Sequence, residues 1–419
     1  MVTVQNNQKQ GGRNGRSSRK NTIALWLLTL AVFAIGTAEL LPMGLLLPIA
    51  SETGVTIPAA GMLVTGYALG VVFGGPVLSA MTGRLSRKMV MGSFLGLFMI
   101  GGLLCTFAPS YTVLFAGRII SSLAQGTLYG IIVVTAKDLA QPGKEGSNIA
   151  MVGTGLTLAV ILGAPLGTLL GEWLGWRMPF LAVTLLSLAT LLGMLKWIPD
   201  LPRAQGVSLS KQLRTVSSPA FVLVLLMTVF GAGGTFAAFT YITPILKHIS
   251  GFSGGSISLI LLVFGLGSVI GNLLGGRLAD RRLLPALFGG MALLAASMAI
   301  FSWTSHGQTA AIVTVFIWGV AAYSIIAPLN MRVLQKAGDA QELASTLNIS
   351  AFNMGNAIGA FVGGMVIDSP LGLPAVPWTA SLVTLIGLLL TIWSMSLDRR
   401  AVRPVQCSES CPAAQSSAC

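Results

Sequence analysis

The chain has 419 residues, of which 54% are hydrophobic and only 9% charged, with a formal net charge of +13. Soluble domains carry about 25% charged residues, so this composition excludes a soluble globular protein. The basic surplus does not mark a nucleic-acid binder either, because it is spread over segment ends and not gathered on one face.

Twelve apolar stretches recur along the chain, at about 22–47, 59–82, 89–108, 111–136, 148–171, 178–198, 219–246, 256–279, 284–304, 309–331, 343–367 and 376–397. Each is roughly 20 residues or longer, enough to cross ~30 Å of hydrocarbon. Long continuous apolar runs with little period-two alternation predict helices and not a barrel. The expected fold class is all-α integral membrane, with twelve transmembrane helices. The first stretch is too long for a cleavable signal, and no small-residue cleavage site precedes a soluble domain, so it reads as a retained span. Twenty-two of the 25 Lys and Arg fall in the two tails and the even-to-odd loops, whereas the opposite loops hold only Arg177 and Lys247. The positive-inside rule then puts both termini in the cytoplasm.

Two charges break the pattern. Glu39 is the only charged residue of the run from Ile23 to Ala50, and Arg118 the only one from Tyr111 to Ala136. Charge at membrane depth is costly and usually faces a protein interior, where it serves a pathway. Glu39 lies roughly 12 Å, and Arg118 roughly 11 Å, from the outer ends of the first and fourth spans at 1.5 Å per residue. Desolvation favours the neutral acid and a neighbouring guanidinium favours the anion, so the pair is a candidate proton-coupling site. Structural readings stand beside this one: Glu39 as a hydrogen-bonded packing residue, Arg118 as a tether.

The longest polar interruption, 199–218, divides the chain into a basic tail (1–21), six spans (22–198), a linker (199–218), six more spans (219–398) and a second tail (399–419). The halves match at an offset of 196–197 residues: Phe33 and Gly36 with Phe230 and Gly233, Gly70 and Gly74 with Gly267 and Gly271, Gly163 and Gly167 with Gly359 and Gly363. Constant offset over three helix pairs predicts two parallel six-helix pseudo-repeats. At that offset Phe236 stands opposite Glu39 and Val315 opposite Arg118, so any charge chemistry is confined to the first half. Gly66, Gly70 and Gly74, like Gly163, Gly167 and Gly171, line single helix faces that permit close backbone approach.

Further polar and aromatic residues at depth are candidates for a substrate cavity: Gln125 and Tyr129, then Thr235, Phe236, Phe239 and Tyr241, then Asn353 and Asn356 one turn apart. Rings and amides together suit a small neutral or mildly polar organic molecule. No P-loop, dinucleotide fingerprint, nucleophile elbow or metal-ligand spacing is present, so neither enzyme chemistry nor a cofactor is expected. Cys407, Cys411 and Cys419 read as part of a disordered tail and not as a metal site.

Several motifs carry a resemblance. Residues 33–50 read FAIGTAELLPMGLLLPIA and 57–76 read IPAAGMLVTGYALGVVFGGP. A loop SAMTGRLSRKMVM at 79–91 includes Arg84, Arg87 and Lys88, with Gly83 where an acid is usual; its repeat, GGRLADRR at 275–282, holds Gly276, Asp280 and Arg281. RIISSLAQGTLYG at 118–130 has Ser122 and Gln125 where Gly and His are commoner, and GAPLG at 163–167 centres on Pro165. Over residues 22–398 the chain resembles the major facilitator superfamily. Within it, the similarity is to the twelve-helix drug:proton antiporters, and there to arabinose-efflux-permease-like and chloramphenicol-exporter-like bacterial members. The resemblance implies a multi-pass transporter of the bacterial inner membrane, working as a monomer, that exports a drug, sugar or metabolite in exchange for protons. It assigns the two loops to gating and Gly163, Pro165 and Gly167 to the antiporter-like motif. Uptake by symport or facilitation, and a non-transporting membrane receptor or subunit, are the alternatives.

Overall fold

The computed structural model describes residues 2–82, 85–140, 145–199, 218–338 and 341–402. Gly83, Arg84, most of the 199–218 linker and the three tail cysteines lie outside the described residues. The described chain is helical throughout: α1 (Val2–Gly44), α2 (Leu46–Thr53), α3 (Ile57–Thr82), α4 (Arg87–Thr106), α5 (Tyr111–Asp138), α6 (Glu145–Leu158), α7 (Ala164–Leu174) and α8 (Arg177–Trp197) come first. They are followed by α9 (Pro219–Phe239), α10 (Ile242–His248), α11 (Gly254–Thr304), α12 (Gln308–Ser324), α13 (Ile326–Lys336), α14 (Gln341–Asp368) and α15 (Val376–Val402).

Among the described residues, eleven segments are long and apolar enough to cross a membrane, against the twelve expected. The difference lies in α11, whose 51 residues contain both the 256–279 and the 284–304 stretches. Its backbone leaves helical geometry at Arg282 (φ −149°, ψ 88°). Gly275 on one arm and Gly290 on the other both lie against Ser324. In a straight helix those two positions would be about 22 Å apart, so the chain doubles back at Arg282 and the element supplies two arms.

Breaks elsewhere have local causes. Pro42 removes an amide donor near the end of α1, and the chain kinks at Leu45 (φ −105°, ψ 11°) before α2 resumes. Pro165 does the same in the fifth apolar stretch, where one π-turn, Ala159–Gly163, joins α6 to α7. Ser218 caps α9 by accepting the Phe221 amide, with Pro219 in the first turn where no donor is needed.

The repeat is visible in the packing. Gly163, Gly167 and Gly171 lie against Thr37, Leu41 and Leu45, in parallel register along α1. Gly355, Gly359 and Gly363 meet Gly233, Ala237 and Tyr241 along α9 in the same way. Likewise Gly70 and Gly74 seat on α5, and Gly267 and Gly271 on α12. At each contact an added β-carbon would collide, with side chains along α1 and with backbone along α9 and α12.

Buried apolar residues form two clusters. One draws on α1, α4, α5 and α8, from Ala24 to Ile198. The other runs from Phe221 to Ala380 and also takes in Leu40, Met43, Leu46, Ala60, Val64, Val160 and Ala164. These faces of α1, α2, α3 and α7 are where the two halves meet.

Candidate functional site

Helix α1 carries Glu39 one turn before its kink, half-buried although other helices surround it. Its carboxylate accepts a hydrogen bond from Gln125 Nε2 of α5 at 2.7 Å and a longer one from Asn356 Nδ2 of α14 at 3.3 Å. The first donor belongs to the same half as Glu39 and the second to the other half. Tyr67 of α3 donates its hydroxyl to Gln125 Oε1, which fixes the amide so that its NH2 faces the carboxylate. Both donors to Glu39 are therefore uncharged amides.

Arg118 is close by but binds differently. It is 2% exposed, and it donates from one terminal nitrogen to the Ala38 carbonyl at 2.6 Å and from the other to the Glu39 carbonyl at 3.3 Å. Its guanidinium lies 3.8 Å over the Tyr67 ring. Glu39 and Arg118 form no ion pair. The reason is in the sequence: Ala38 would normally accept from residue 42, which is a proline with no N–H. Arg118 satisfies the carbonyl that Pro42 leaves free. The arginine thus holds the backbone of Glu39 while the amides hold its side chain.

The remaining predicted residues divide. Tyr129 is half-buried one turn beyond Gln125 on α5. Asn353 is buried and donates to the Ile349 carbonyl of its own helix. Thr235 is buried on α9; Phe236 is half-buried, edge-on to Phe239. Phe239 stacks on Phe264 with centroids 4.4 Å apart and meets Trp318 edge-on, so it belongs to the aromatic core of the second cluster. Tyr241 is buried between α3 and α14 and bonds to the Ala360 carbonyl, not to Glu39. Of the loop residues, Arg87 pairs with Asp138 at the end of α5, while Asp280 and Arg281 are exposed. Pro165 is buried at the π-turn, with Gly163 and Gly167 on α1 as described.

Tyr67 and Asn356's cross-half bond are the parts that sequence reasoning missed. Pro42 was the signal available for the Ala38 carbonyl; no comparable signal marked Tyr67, which reads like any aromatic residue in an apolar span.

Comparison with known proteins agrees with the architecture. The pattern of the Major Facilitator Superfamily matches residues 27–349. The chain is 38% identical over 370 residues to the inner membrane transport protein YdhP of Escherichia coli K12, covering 88% of this chain and 95% of that one. It is 31% identical over 371 residues to a chloramphenicol resistance protein of Streptomyces lividans, covering 88% and 95%. The fold is similar to that of a bacterial homologue of the human lysosomal transporter Spinster, crystallised inward-facing and unoccupied. That match has a TM-score of 0.73 at 15% identity and covers 91% of this chain and 98% of the other.

Proposed function

The chain belongs to the Major Facilitator Superfamily and is a membrane transporter, and on that premise we propose that it exports a small organic solute in exchange for protons, with Glu39 as the proton-carrying group. The observation that carries this reading is the pair of neutral donors on one deep carboxylate, Gln125 from α5 and Asn356 from α14. An ionised carboxylate offers both oxygens as acceptors; protonation converts one of them to a hydroxyl and weakens its hold on an amide. Since Asn356 stands in the second half, the charge on Glu39 bears directly on what joins the halves. That is the link alternating access requires between a proton and a conformational change.

The rest of the reading follows. The two apolar clusters support two six-helix bundles, 22–198 and 219–398, that move against each other as a monomer. The basic loops support cytoplasmic termini in a bacterial inner membrane. The half-buried rings of Tyr129 and Phe236 favour an amphipathic cargo, and similarity to a chloramphenicol resistance protein supports the efflux direction.

The test is a substrate screen in everted vesicles under an imposed pH gradient, wild type against Glu39→Gln at equal protein level. The substitution keeps the shape and resembles the protonated acid, with one accepting oxygen in place of two, but cannot exchange a proton. Gradient-driven accumulation is expected to vanish in the variant; accumulation at the wild-type rate would refute the assignment.

A further inference from the structure

Tyr241 sits at the interruption between α9 and α10, with φ −108° and ψ 17°, and is 1% exposed. Its hydroxyl donates to the Ala360 carbonyl of α14 at 2.8 Å, so the ring is held by its own half of the molecule. Three glycines make room for it. Gly363 and Gly364 on α14 lie against the ring and hydroxyl, and Gly61 on α3, in the opposite half, lies against the hydroxyl end. A methyl group at any of the three would collide with the tyrosine. Around it the halves are joined further: Thr243 donates to the Met43 carbonyl, Gly364 adjoins Pro58, and Glu172 of α7 lies against Gly254 at the start of α11. All these contacts are near the end of the bundle opposite the chain termini.

We propose that Tyr241 is the plug of a gate at that end, carried by the second half and seated on Gly61 of the first. The anchoring is asymmetric. Separating α3 from α9 and α14 withdraws the ring from Gly61 without breaking its bond to Ala360, so the plug travels with its own half and the glycine is only a seat. The missing side chain at Gly61 lets the ring approach α3; the ring in turn fills the space that three small residues leave between helices. Thr65, one turn along α3 from Gly61 towards the middle, lies behind the plug and is 5% exposed.

Thiol accessibility tests this without any substrate, so it stands apart from the export reading and can fail separately. Thr65→Cys is placed in a chain whose four native cysteines are changed to alanine. A membrane-impermeant maleimide is then applied to spheroplasts and, separately, to everted vesicles. Labelling from the face opposite the termini is expected to be slow in the parent and roughly tenfold faster with Tyr241→Ala, as the closed state loses its seal. Tyr241→Phe, which keeps the ring and loses the hydroxyl with its bond to Ala360, should stay near the parent rate. Gly61→Val, which unseats the ring from the other side, should act like Tyr241→Ala and serves if that variant does not accumulate. Gly61→Leu added to Tyr241→Ala should slow labelling again by refilling the gap. Parent-like labelling in both Tyr241→Ala and Gly61→Val would overturn the proposal. So would equal acceleration by Tyr241→Phe and Tyr241→Ala, which would assign the effect to the hydrogen bond and not to the ring.

Discussion

Pro42 leaves the carbonyl of Ala38 without a helical donor, and Arg118 reaches across from α5 to supply one. An orphaned buried carbonyl costs about 1–3 kcal/mol, so the two residues should be energetically coupled. Arg118→Ala is expected to destabilise the protein strongly with Pro42 present. With Pro42→Ala, which restores an N–H to the helix, the loss should shrink by roughly 1 kcal/mol or more. Unfolding midpoints of the four variants in detergent measure this; an Arg118→Ala loss that is the same in both backgrounds would remove capping from the account. The anomalous charges themselves were legible in the sequence, since nothing else charged occupies the middle of either stretch. Their relationship was not. Depth alone suggested a pair, whereas the arginine answers a backbone defect made by Pro42, three residues after Glu39. The partners of the carboxylate were hidden for a different reason: Gln125 and Asn356 come from helices far apart in sequence, and register between them is a tertiary property.

Among the elements, the glycine faces decide which helices lie side by side. The α7 glycines step along α1 at every fourth residue, and α14 steps along α9 in the same parallel sense. Gly167 meets the Leu41 side chain, with no room for a β-carbon between them. Gly167→Val should therefore overpack the α1–α7 contact and cost about 1–3 kcal/mol, seen as a lower thermal midpoint in detergent. Gly96, which faces open space, should tolerate alanine and provides the control. These faces were legible because four-residue spacing is a one-dimensional pattern. The reversal inside α11 was partly so: two apolar stretches were apparent, but the turn at Arg282 lacks the glycine or proline break that a tight connection usually carries, and Pro285 comes only after it.

At the scale of the whole molecule, the halves meet along α3 and α14, and a side chain built at Gly364 would put its β-carbon 3.5 Å from that of Pro58. That separation suits a disulfide. The double variant Pro58→Cys with Gly364→Cys should crosslink on oxidation and lose transport, and a reductant should restore it to the level of Gly364→Cys alone, whose β-carbon also crowds Tyr241. Transport that persists in the fully crosslinked protein would mean that the halves do not part along this seam. On the exchange reading, the two uncharged amides around Glu39 have a consequence for energetics. A single titratable group sets one proton per cycle, so an uncharged cargo leaves each turnover carrying one net charge inward. Membrane voltage then contributes about 2.3 kcal/mol per 100 mV, beside about 1.4 kcal/mol for each pH unit. At 100 mV and no pH difference, the steepest cargo gradient such a machine can hold is about fiftyfold. A second titrating neighbour would square that ceiling; Gln125 and Asn356, which cannot titrate, keep it where it is.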